Sequence, residues 1–112
     1  MATYLLQVGY APAMWAALIA HPEDRAAAVR PVIEKLGGKM INSWYSFGDY
    51  DVVALIEMPT AIDAAAFSLA AAAGGAVRSI KTTPLLTAAE GMEAMKKAAK
   101  SGYKAPSRST HA

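Results

Sequence analysis

Cysteine is absent from this chain, which excludes disulfides, thiolate catalysis and Cys-ligated zinc or iron–sulfur sites, and leaves the redox state of its compartment unread. Histidine is almost absent. His21 and His111 are isolated, with no H-x-E or HExxH spacing, so neither a metal nor a haem is expected. His21, just before Pro22, reads as a loop or cap residue. No apolar run reaches the roughly 18–20 residues that a bilayer crossing needs, and the start Met1-Ala2-Thr3-Tyr4-Leu5-Leu6 has neither a basic region nor a cleavage site. The expectation is a cytoplasmic protein with no membrane partner. Phosphate-binding glycine patterns are missing too, because Gly37-Gly38 and Gly74-Gly75 match neither GxGxxG nor a Walker sequence and read as helix stops. No cofactor is expected.

What is present is alanine and aliphatic side chains: 54% of the 112 residues are hydrophobic. That is enough for one domain with a real core, although alanine buries little area per residue. A domain this small hides only about 60–70% of the surface that its unfolded chain exposes, so packing against a second copy would add stability. The partner expected is therefore another copy, in a dimer or a larger homo-oligomer. The net charge of +2 hides an asymmetry. Five basic residues and no acids lie in 96–112, which leaves six basic against nine acidic groups in 1–95. Lysines without an interleaved aromatic platform read as a solubilising end, so no nucleic acid is expected as a partner.

Thr3 to Tyr10 alternates, with Tyr4, Leu6 and Val8 on one side and Leu5 and Gln7 on the other, and predicts a first strand. A short helix follows from Pro12 to Ala20 and carries Trp15. A longer helix is expected from His21 with Pro22 at its first position, an apolar stripe of Ala26, Val29, Val32, Ile33 and Leu36, and a stop at Gly37-Gly38. Pro31 inside it predicts a kink or a split. Thr60 is placed to cap a helix running to Ala73 with a buried stripe of Ile62, Ala65, Ala66, Leu69 and Ala73, and Ala76 to Thr83 is a last strand stopped by Pro84. Residues 88–100 form an appended amphipathic helix with Ala88, Met92, Met95 and Ala99 at helical spacing, and 101–112 read as a disordered basic tail.

Between these elements, Trp44-Tyr45-Ser46-Phe47-Gly48-Asp49-Tyr50-Asp51-Val52-Val53 reads as a hairpin with a two-residue Gly-Asp turn of type II′. Counting outward pairs Phe47 with Tyr50, Tyr45 with Val52, Ser43 with Ala54 and Ile41 with Ile56 on an apolar face. Met40, Asn42, Trp44 and Ser46, opposite Glu57, Leu55, Val53 and Asp51, form a mixed face. A slip of one residue exchanges the two faces. The order strand, helix, strand, strand, helix, strand, with an antiparallel centre and right-handed crossovers, predicts an α+β, ferredoxin-like βαββαβ sandwich with a four-stranded antiparallel sheet and an extra C-terminal helix.

The chain also resembles the GYD domain family. The residues that carry the likeness are Met1-Ala2-Thr3-Tyr4-Leu5, Leu36-Gly37-Gly38-Lys39, Gly48-Asp49-Tyr50-Asp51-Val52-Val53 running to Glu57 and Pro59, and Ala76-Val77-Arg78-Ser79. The likeness covers roughly residues 1–87. It departs from the family in a longer segment around Trp15, and the tail after about Gly91 lies outside it. It implies a ferredoxin-like domain of the dimeric α/β barrel class, in which the sheets of two chains pack face to face. It implies no activity, because a fold does not fix a function.

Asp51 and Glu57 are six residues apart on the mixed face, hence about 20 Å along a strand at ~3.3 Å per residue, too far for a carboxylate dyad. Asp51 fits either a catalytic carboxylate or a polar residue that satisfies backbone N–H groups after a turn. Glu57 fits either a desolvated general base, its pKa raised by burial, or an ion-pair partner for Lys81 or for a basic residue of a second subunit. Phe47 and Tyr50 are expected to form a cross-strand aromatic pair. Trp15 and Trp44, with the amides Gln7 and Asn42, describe either the wall of a small-molecule pocket or a subunit contact. Two functional readings follow. The first is a self-associating module that binds an apolar or aromatic small molecule between sheet and helices. The second is a cofactor-independent monooxygenase, cyclase or isomerase acting on an aromatic or polyketide-like substrate, with Glu57 or Asp51 moving a proton.

Overall fold

The alternating N-terminal run forms the centre of the sheet. The structure, a computed structural model, describes residues 1–106. Its elements in chain order are β1 (Ala2–Tyr10), α1 (Pro12–Ala20), α2 (Arg25–Lys35), β2 (Lys39–Tyr45), β3 (Val52–Met58), α3 (Ala61–Ala73), β4 (Val77–Leu85) and α4 (Ala88–Ala99). The four strands run in the order β2-β3-β1-β4, every neighbouring pair antiparallel. This is the mixed α+β architecture expected from the sequence, consistent with a ferredoxin-like fold.

On one face, Tyr4, Leu6, Ala54, Ile56, Met58 and Met40 pack against Ile33 of α2 and against Ala64 and Phe67 of α3. Ile33, Ile56 and Met58 are fully buried, which stabilises the fold by about 1.5–3 kcal/mol for each side chain. Both crossover helices thus cover the same face. The other face carries Leu5, Gln7, Val53, Leu55 and Trp44 in register across β1, β3 and β2. α4 is closed by a reciprocal capping box between Thr87 and Glu90 but makes only sparse contact with the rest, and none of its residues is buried.

Several local expectations change. The strands of the hairpin stop at Tyr45 and resume at Val52, and no two-residue type II′ turn joins them. Ser46 N–H donates to the Asp51 carbonyl at 3.0 Å, while Gly48 N–H turns inward to the Tyr50 carbonyl at 3.0 Å. The positive φ falls on Phe47, at 51°, and Gly48 has none. Asp51 N–H donates to the Val8 carbonyl at 2.8 Å, so the end of the loop is tied to β1.

The predicted register holds from Tyr45↔Val52 to Ser43↔Ala54, then shifts between Met40 and Asn42. Ile41 is the extra residue of this bulge, so Met40 rather than Ile41 faces Ile56 and enters the core. Phe47 stacks on Tyr45, at 5.7 Å between ring centroids, in place of the expected Tyr50.

The second helix starts at Arg25, not His21, because the Asp24 carboxylate accepts from Ala27 N–H at 3.1 Å and caps it. It runs unbroken through Pro31. Its stripe is as expected at Ala26, Val29, Ile33 and Leu36, but Val32 is exposed. The buried face of α3 is Ala64 and Phe67, and Ile62 and Leu69 are 80% and 71% exposed. Phe67 offers more apolar area than any residue of the predicted stripe, and burying it rotates the helix away from Ile62 and Leu69. β4 continues through Pro84, which an edge strand tolerates because its outer side has no ladder to complete. Residues 101–106 have no helix or strand. The expected disorder of 107–112, and His111 with it, lies outside the described residues.

The turn from α2 into β2 is a close approach. Gly37, at φ +87°, and Gly38 return their N–H groups to the Glu34 and Ile33 carbonyls at 2.9 and 3.0 Å, the Schellman arrangement. A side chain on Gly38 would meet the Met58 sulfur and the Glu57 carbonyl oxygen, the latter at 2.5 Å, whereas one on Gly48 would meet nothing within 4 Å. Gly38→Ala is therefore expected to lose about 1–3 kcal/mol in urea unfolding, and Gly48→Ala less than about 0.5 kcal/mol. Equal losses at the two positions would contradict this placement.

Candidate functional site

Between α2, α3 and the end of the sheet that carries Val8, Tyr10 and Val52 lies an open cavity of about 720 Å³. Its floor is Leu6, Val8, Ala54 and Ile80, and its sides are Ala26, Val29 and Ile33 from α2 with Phe67 and Ala71 from α3. Alanines on α3 supply the width, since small side chains leave room where larger ones would fill it. Most of the lining is apolar. The polar side chains of the lining are Asp24, Arg25 and Arg30 at and within α2, Asn42 and Ser43 of β2, and the phenols of Tyr10 and Tyr45.

Tyr10 is buried. Burial pushes its phenol above the ordinary value of 10.0, helped by the neighbouring Tyr45, while the Arg25 guanidinium beside it pulls the other way. Arg25, the first residue of α2, donates from Nη1 to Glu23 Oε1 at 2.9 Å. Its Nε is buried and has no hydrogen-bond partner, which costs about 1–3 kcal/mol. Asp24 is held at the start of the helix by Ala27 N–H.

An aromatic group gathers around Tyr10 and Tyr45, at the ends of β1 and β2. Trp15 of α1 stands edge-on to Tyr10 at 5.2 Å and lies 5.9 Å from Tyr45 and 6.0 Å from Phe47. Such contacts contribute about 0.5–1.5 kcal/mol each beyond the area they bury. They pin α1 across the ends of β1 and β2, and Ala11 N–H adds a bond to the Ala76 carbonyl at 2.9 Å.

The residues singled out from the sequence separate here. Trp15 belongs to the aromatic group. Trp44 is 50% exposed and pairs with Val53 on the helix-free face, although it and Asn42 also border the cavity on the β2 side. The Asn42 side chain accepts from Ser43 N–H at 2.8 Å. Gln7 lies on the helix-free face between Val53 and Lys81. Glu57, half-exposed, sits on that face opposite Thr3 and Lys39, not beside the cavity.

Asp51 takes the backbone-satisfying role. Its Oδ2 accepts from Tyr10 N–H at 2.7 Å and stands 3.9 Å from Arg78 Nη2, which donates to the Asp49 carbonyl at 2.9 Å. Gly9 makes this possible, because a side chain there would meet Arg78 Cζ at 2.7 Å. His21 is exposed and ends α1. Among the described residues no group of three or more His, Cys, Asp or Glu is placed to hold a metal ion, and no helix is long and apolar enough to cross a membrane.

Tyr10, Arg25 and Tyr45 were not anticipated as site residues. Two signals pointed to them. Tyr10 continues the alternation of Tyr4, Leu6 and Val8 by one more step, and Arg25 precedes Val29 and Ile33 at four-residue spacing on the buried side of α2.

Since the phenol of Tyr10 has a folded pKa above its unfolded value, its contribution to stability is fully present below about pH 10 and is lost as the pH rises through the raised pKa. Alkaline unfolding monitored by circular dichroism is expected to steepen above pH 10, with a matching late step in phenolate absorbance. Tyr10→Phe removes both, and a late step that survives in this variant would assign it elsewhere.

The family model for the GYD domain matches residues 4–98 of the chain. The match takes in α4 almost to its end, beyond the boundary near residue 87 that the motifs suggested. No curated protein and no solved structure matches the chain.

Proposed function

The chain belongs to the GYD domain family, and on that footing we propose that it is a binding module, holding an apolar or aromatic small molecule between its sheet and helices and self-associating through the uncovered sheet face. The observation that carries the reading is the open cavity of about 720 Å³, lined mainly by apolar side chains with a few polar groups, Asp24, Arg25 and Arg30 among them. Sites for small molecules have this composition and size. The rival reading, a cofactor-independent oxygenase, cyclase or isomerase, draws no support from the geometry, because neither Asp51 nor Glu57 lines this cavity.

A neutral aromatic probe tests the cavity. 2-Naphthamide is expected to bind in calorimetry with a micromolar dissociation constant, weakened about tenfold or more in Val29→Trp, whose indole takes up the space. An unchanged affinity in a folded Val29→Trp variant would place the probe elsewhere.

Self-association rests on a separate observation. Leu5, Val53, Leu55 and Trp44 share a face that no helix among the described residues covers, and a second copy would remove that apolar surface from water. Light scattering is expected to give a multiple of the chain mass for the wild type and a single chain for Trp44→Asp. A wild type that stays monomeric at high concentration would rule this out.

A further inference from the structure

We infer that the end of the cavity where the Arg25 side chain meets the Tyr10 hydroxyl recognises a carboxylate, so that the ligand is an apolar or aromatic acid rather than a neutral hydrocarbon. This inference rests on the cavity being a binding site. Arg25 lines the cavity from the first turn of α2. Its Nη1 is taken by Glu23, at 2.9 Å, while its Nε is buried and unbonded. Buried donors in folded proteins nearly always have a partner, so an orphan at a cavity wall calls for an acceptor that is brought in.

The chemistry of the guanidinium says which acceptor. With Nη1 engaged by Glu23 and the Tyr10 hydroxyl beside the guanidinium, the side-on edge of Nε and Nη2, whose two parallel N–H groups fit the two oxygens of a carboxylate, is the one assigned to a ligand. The Tyr10 hydroxyl, buried in the same wall, is a third donor. Among the residues that line the cavity, the charged groups are Arg25 and Arg30 against Asp24, whose carboxylate accepts from Ala27 N–H at 3.1 Å, while Glu23 pairs with Arg25 through Nη1. The first turn of α2 adds the positive end of its dipole. The aliphatic remainder of the cavity then takes the body of the acid.

The test compares 2-naphthoate with 2-naphthamide, which share a ring system and differ in charge, by calorimetry on the full chain. On the wild type the carboxylate is expected to bind about tenfold or more tightly than the amide. Arg25→Met is expected to remove that preference, the carboxylate losing about tenfold more affinity than the amide, and Arg25→Lys to keep part of it. Circular dichroism matching the wild type shows that the variants are folded. Equal affinity of the two probes for the wild type, or a preference that survives Arg25→Met, would overturn the assignment of Arg25 and leave the binding cavity standing. Failure of both probes to bind would overturn the cavity reading and this inference together.

Discussion

Both crossover connections of the sheet lie on one face, and the rest of the structure follows from that asymmetry. A right-handed connection from β1 to β2 and another from β3 to β4 place α2 and α3 side by side over the same strands. The core is therefore a single layer of contacts between two helices and a four-stranded sheet. Between them Ile33, Ile56 and Met58 are sealed from water. Toward Val8, Tyr10 and Val52 the alanines of α3 are too small to fill the space over the sheet, and a cavity remains. The same asymmetry leaves the opposite face, with Leu5, Val53, Leu55 and Trp44, without a covering helix among the described residues. Cavity and uncovered face are thus two outcomes of one topology.

Non-local polar contacts hold the open end of the sheet in shape. Asp51 ties the loop after β2 to β1 twice, through its backbone N–H to Val8 and through its carboxylate to the N–H of Tyr10. Arg78 reaches across Gly9 to the same loop. Phe47, held at a positive φ that disfavours a side chain, is offset by stacking on Tyr45 and by contact with Trp15. This end of the sheet is in this way built by residues far apart in the chain, and Asp51, which looked from the sequence like a catalytic candidate, is spent on structure. The cation that faces the interior comes instead from the start of α2.

α4 stands apart from this economy. Its capping box and its Met92 and Met95 stripe make it a well-formed amphipathic helix, yet the stripe faces outward, with Met95 70% exposed. It lies almost wholly within the family match, which ends at residue 98. The described body measures 62 × 35 × 22 Å, elongated for a chain of this length.

The elements, their order and the antiparallel hairpin were legible in the sequence, because alternation, helical spacing, Thr60 and the glycine stops are local signals that act over a few residues. So was the core face of β1 and β3, since strand periodicity assigns it without reference to partners. Only the tertiary structure decided the rest. The bulge at Ile41 arises because Met40 finds a place beside Ile56, which no count along one strand reveals. The rotation of α3 was set by the burial of Phe67 against the sheet, and the start of α2 by a carboxylate that the first prolines of the segment obscured. The separation of Trp15 from Trp44, and the meeting of Arg25 with Tyr10, depend on which face the helices cover and where they sit on it, and those are properties of packing between distant segments, to which local periodicity is blind.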